Sequence, residues 1–148
     1  MSAGSGPCAS SAIRRLSIAL LTATALGGCS AVANTKVAEQ AVATFHERLD
    51  AAEFDAIYDQ SADDLKKAST RQNFVAILEA VRRKLGTSKS SDQKGWNVNY
   101  NISSSFVTLS YATVYGGGEA TEVFTYRMDG EMPLLAGYHI NSTALLLN

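Results

Sequence analysis

The chain has 148 residues, with 13 basic and 14 acidic side chains, 46% hydrophobic residues and two cysteines. That length suits one domain around a single core, and a formal charge of -1 lacks the electrostatic footprint of a dedicated nucleic-acid binder. Two cysteines cannot build a disulfide-dense scaffold, so packing has to hold the fold.

Ahead of Lys36 the only charged side chains are Arg14 and Arg15, and the apolar run Leu16–Leu26 follows them directly. A short basic region, a short apolar run and small residues before a cut site describe a secretory signal. The run is roughly half of the ~20 apolar residues that a permanent span needs. The residues Leu26-Gly27-Gly28-Cys29 resemble a bacterial lipobox. That resemblance implies diacylglycerol transfer to the Cys29 thiol, cleavage between Gly28 and Cys29, and acylation of the new amino terminus. The expected organisation is a removed signal over residues 1–28, a lipidated tether over residues 29–35 and one domain over residues 36–148. Membrane attachment would run through the lipidated Cys29. In a Gram-negative envelope, Ser30 after the cysteine implies the outer membrane, with the domain facing the periplasm. Loss of Arg14 and Arg15 moves the formal charge from -1 to -3. Cys8 leaves with the signal and Cys29 is consumed, so no thiolate metal site or redox couple is expected.

From Lys36 onward Ala38, Ala41, Val42, Phe45, Leu49 and Ala52 recur at helical spacing. A shorter unit around Phe54, Ile57 and Tyr58, flanked by acids, predicts an irregular helical turn on the surface. Ser69 with Gln72 reads as a capping box. The stripe Phe74, Ile77, Leu78, Val81 and Leu85 then predicts a helix over 69–85 that Gly86 closes.

After a polar loop the period changes from 3.6 to two. Trp96, Val98, Tyr100 and Ile102 alternate with asparagines, which predicts a half-buried strand. A serine turn leads to a second strand over 106–115, with Val107, Leu109, Tyr111 and Thr113 on one face. The triple glycine at 116–118 turns the chain into a third strand over 120–128. Lacking a following lysine and helix, these glycines read as a hairpin turn and not as a phosphate loop. Asp129-Gly130 is a hairpin signal, and the last strand is expected over 134–141.

Helices followed by four antiparallel strands in sequence order give an α+β fold, with N-terminal helices packed on a curved meander sheet. This order resembles the cystatin-like, or nuclear transport factor 2-like, superfamily. The runs Phe106–Tyr111, Gly118–Phe124 and Leu135–Ser142, with Arg83-Lys84-Leu85-Gly86, resemble bacterial lipoproteins of unknown function with that domain. The resemblance implies a fold and a location but carries no catalytic residue.

His46 and Asp50 share a helix face, and an i, i+4 pair of this kind could orient an imidazole for base catalysis. The other reading is a helix-surface ion pair. A metal site needs three or four ligands, and His139 is the only other histidine, so neither a metal nor a cofactor is expected. His139 should face away from Tyr138 and Ile140. The aromatics of the strands read as core, with exposed members forming a binding surface. Phe106, Ala112 and Val114 make the outer face of the second strand apolar, which suggests a second copy covering it. Seven acids against Arg48 over 47–64 and eight bases over 66–94 read as solvated faces or as complementary surfaces of two molecules. The leading expectation is a lipid-anchored envelope protein whose domain binds an envelope protein or an apolar ligand without chemistry. The alternatives are a small-molecule enzyme with a pocket between sheet and long helix, using His46 and Asp50, and a purely structural dimeric lipoprotein.

Overall fold

A computed structural model describes residues 28–101 and 104–147. The predicted signal over residues 1–27 lies outside them, as does part of the serine turn. Helix α1 (Gly28–Asp50) is about 35 Å long at ~1.5 Å per residue. Residues 29–35, expected as the tether, form its first turns, and Thr35 is already buried. The alanine-rich stretch Ala31-Val32-Ala33 shows no amphipathic period, yet alanine has the highest intrinsic helix propensity. Ala38, Val42, Phe45 and Leu49 are buried, whereas Ala52 lies past the helix end with φ 60° and is exposed.

The single irregular turn expected next is two short helices, α2 (Phe54–Asp59) and α3 (Asp63–Ala68), which bury Ile57, Tyr58 and Leu65. Helix α4 (Arg71–Leu85) is capped by Thr70, whose hydroxyl accepts from the Asn73 amide at 3.3 Å. The Ser69–Gln72 box does not form, because the chain turns helical one residue later than that spacing requires. Gly86 closes the helix with φ 79°. Phe74, Leu78, Val81 and Leu85 are buried, but Ile77 is 47% exposed. At ~100° per residue Ile77 lies roughly 70° from the centre of that stripe.

The sheet is an antiparallel meander in the order β1 (Ser88–Tyr100), β2 (Ser105–Tyr115), β3 (Gly118–Asp129), β4 (Met132–Asn141). The α+β expectation holds. The polar segment 88–94, expected as loop, pairs with β2 instead. As an edge strand β1 is held by backbone pairing with little burial. Register shifts between Ser88 and Ser90 and between Gln93 and Gly95, with Lys89, Asp92 and Lys94 nearby, keep that edge from offering a flat template. Trp96 and Tyr100, expected to be half-buried, are exposed. A short helix α5 (Thr143–Leu147), not anticipated, follows β4 and rests against α4 and β3.

Helix α1 lies against the sheet and touches each strand, so the core sits between α1 and the face bearing Val107, Leu109, Phe124 and Tyr126. The outer face carries half-buried Phe106 and Ala112 and exposed Val114. Thr108, Ser110, Thr125 and the exposed Thr121 interrupt it, so it is less apolar than β2 alone suggested. The acidic segment finds partners within the chain. Asp55 and Asp59 pair with Arg71, and Asp64 with Arg127 at 3.0 Å. None of the described helices is long and apolar enough to cross a membrane.

Candidate functional site

Period-two alternation along β3 places Ala120, Glu122, Phe124, Tyr126 and Met128 on the inner face. Glu122 is therefore a carboxylate on an otherwise apolar strand face, under α1 and fully buried. Its Oε2 accepts from His46 Nε2 at 2.8 Å and from Thr113 Oγ1 at 2.6 Å. Its Oε1 accepts from the Tyr115 hydroxyl at 2.8 Å and the Tyr138 hydroxyl at 2.6 Å. Thr113 spends its only proton on Glu122, so Ser91 Oγ donates to Thr113 Oγ1 at 2.9 Å. Each carboxylate oxygen thus accepts two hydrogen bonds, which fills its lone-pair sites.

Burial pushes the Glu122 carboxyl up, but the His46 hydrogen bond and charge, with Thr113 and Tyr138, outweigh it. The group sits below the ordinary carboxylate range. Burial first, then the Glu122 charge, pushes the Tyr115 and Tyr138 phenols up, so both stay protonated and donate. Aromatic rings seal the cluster. Phe124 lies edge-on to Phe45 at 5.1 Å and to His46 at 5.7 Å between ring centroids.

The expected His46–Asp50 pair does not form. His46 turns into the core towards Glu122. Asp50, near the end of α1, accepts from the Ser88 amide at 3.0 Å and the Ser88 hydroxyl at 2.7 Å, which ties α1 to the start of β1. One helical turn separates the two residues, but the sheet reaches His46 first and the β1 entrance reaches Asp50 first. His139 is exposed on the outer face opposite Val123, as its alternation predicted. The residues that sequence reasoning passed over are Glu122 and Thr113. The signal for Glu122 was an acid in phase with Phe124, Tyr126 and Met128. Gly28 and Cys29 stand in the first turn of α1. Among the described residues there is no cluster of three or more histidines, cysteines and carboxylates that could hold a metal.

A second feature is an open cleft of about 290 Å³ between α1, α2 and the start of β4. Ala41, Phe45, Ile57, Leu135 and Tyr126 form its apolar floor, and Gln40, Thr44, Arg48 and Gln60 its polar margin. Arg48 Nη1 donates to Gln60 Oε1 at 2.7 Å. His46 and Glu122 do not line this cleft.

The family described as "Protein of unknown function (DUF4019)" matches residues 41–138, about two thirds of the chain. The chain belongs to the DUF4019 family. The matched region begins in α1 at Ala41 and ends in β4 at Tyr138, so it holds the whole Glu122 cluster and most of the cleft lining. No curated protein matches the chain.

Proposed function

We propose that this is a lipid-anchored bacterial envelope protein whose domain binds a ligand or partner in the α1–α2–β4 cleft without performing chemistry on it. The observation that carries this reading is the separation of reactive groups from open space. The carboxylate with an imidazole partner is buried and saturated, so it has no lone pair left for a substrate proton. Among the described residues the open cleft is lined by neither histidine, carboxylate, cysteine nor serine. Its one phenol, Tyr126, is raised by burial and by the nearby Tyr111 and Glu122, and so holds its proton. The cleft offers shape, apolar surface and hydrogen bonds, which suffice for binding.

In this reading the Glu122 cluster fastens α1 to the sheet and so fixes the wall of the cleft. The domain is of the cystatin-like, nuclear transport factor 2-like kind. A helix laid across an antiparallel meander supports that assignment. The anchor is the acylated Cys29, supported by Leu26-Gly27-Gly28-Cys29 directly after the apolar run. Homodimerisation through the outer sheet face is a secondary element of the proposal, supported by half-buried Phe106 and exposed Val114.

The test is a photo-crosslinking side chain at Thr44 in the intact envelope, with one at Lys67 on the exposed surface as reference. Thr44 should yield an adduct that Lys67 does not, and Gln40→Trp, one turn away, should suppress it. No adduct at Thr44, or one indifferent to Gln40→Trp, refutes binding in the cleft.

A further inference from the structure

We infer that the cleft selects a monoanionic carboxylate with a short aliphatic tail. This rests on the binding reading above and names the ligand class. Among the described residues that line the cleft, Arg48 alone carries a charge. No carboxylate among the described residues forms an ion pair with it, and its described side-chain partner is the neutral Gln60. A half-buried guanidinium held by one nitrogen to an amide keeps its remaining N–H donors for a ligand, in the planar fork that suits a carboxylate.

The remaining surface accounts for the tail. From Arg48 the lining runs back along α1 through Phe45 and Ala41 to Val37, about 16 Å at ~1.5 Å per residue. Ile57 and Leu135 face this stretch from α2 and β4. The volume of about 290 Å³ lies just below the ~300–1,000 Å³ range of small-molecule sites, which suits a short chain. The Tyr126 side chain closes the floor of the cleft and is 3% exposed. A carboxylate at the Arg48 end lays the tail along α1 over that floor.

The experiment uses the full chain and a diazirine-bearing octanoate, with adducts mapped by peptide mass spectrometry. The expected result is labelling within residues 37–48 or 133–135. Octanoate should compete it away and octylamine should not. Arg48→Met should lower labelling at least tenfold at an unchanged melting temperature, and Arg48→Lys should retain more of it. Equal competition by octylamine, undiminished labelling of Arg48→Met, or labelling that maps elsewhere overturns the inference. So does labelling that falls as protein concentration rises, because a second copy would then occupy the cleft. Loss of octanoate labelling with the Thr44 adduct intact removes the ligand class and leaves the binding reading standing. Loss of both removes both.

Discussion

His46 and Glu122 stand 76 positions apart in the chain, and their side chains meet in the core with Nε2 2.8 Å from Oε2. Glu122 is ionised at neutral pH, so the imidazole N–H donates. The contact joins the middle of α1 to an interior strand of the sheet. Ion pairs in low dielectric are poor sources of net stability when compared with apolar packing, but breaking one leaves an uncompensated charge. The pair therefore fixes where α1 sits along β3, and with it the shape of the cleft beside Phe45 and Arg48.

Glu122→Gln keeps the shape and removes the charge. The amide nitrogen carries hydrogens where the native oxygen accepts two bonds, so in either orientation it faces donors that no longer have an acceptor. Urea unfolding should show a loss of about 3–5 kcal/mol. A loss under ~1 kcal/mol, in the range of ordinary surface substitutions, would mean that the network does not form in solution.

The same carboxyl makes stability depend on pH. Its folded-state pKa is depressed below the unfolded value, chiefly because the His46 hydrogen bond and charge overcome the effect of burial. The folded state then binds fewer protons than the unfolded one around those values, so stability rises with pH there. The contribution is complete above the unfolded carboxyl pKa of ~4.3 and is lost as pH falls through the lower folded value. Urea midpoints should drop steeply from pH 5 towards pH 3 in the parent and more gently in Glu122→Gln. Parallel profiles in the two proteins would exclude Glu122 as the source.

Elements with a single clear period were legible in the sequence. Helix α4 showed its stripe, and β2 and β3 their alternation, because each buries one face. The first half of β1 was not legible, since an edge strand held by backbone pairing imposes no pattern on Ser88–Lys94. His46 was singled out for the wrong partner. Asp50 was its neighbour by helix spacing, while Glu122 became its neighbour only through the angle at which α1 crosses the sheet. The cleft was hidden for the same reason. Arg48, Ile57 and Leu135 belong to three elements whose contact no local spacing encodes.

The stripe of α4 is tested by two adjacent residues. Leu78 is fully buried and Ile77 is 47% exposed. Leu78→Ala should cost about 2–5 kcal/mol through lost burial and a residual cavity. Ile77→Ala should stay within about 0.5 kcal/mol of the parent, as exposed substitutions do. Thermal unfolding of the two variants side by side decides which face packs, and equal losses would refute the assignment.

The proposed anchor has a direct chemical test. Cys29→Ser removes the thiol that would receive diacylglycerol, and an alcohol at that position does not replace it as nucleophile. Metabolic palmitate labelling should disappear, and the precursor should remain uncleaved at Gly28–Cys29. Labelling that persists in the variant would place the acyl group elsewhere or remove the lipoprotein reading.

The turn between β2 and β3 distinguishes two glycines that look equivalent in sequence. The Gly117 amide donates to the Leu85 carbonyl at 2.7 Å, so the turn is pressed onto the C-terminal end of α4. A Cβ on Gly117 would stand 2.7 Å from the Lys84 carbonyl oxygen and 3.2 Å from the Leu85 Cα, both backbone atoms that cannot rotate away. A Cβ on Gly116 would meet atoms no closer than 3.8 Å, which is ordinary contact. Gly117→Ala should therefore cost about 1–3 kcal/mol by forcing the turn off the helix, in the range of overpacked sites. Gly116→Ala should be close to neutral. Chemical denaturation of both variants measures the difference. A neutral Gly117→Ala would mean that the hairpin does not dock on α4, and that the end of α4 is held by α5 and Lys84, whose ammonium donates to the Leu145 carbonyl at 2.8 Å.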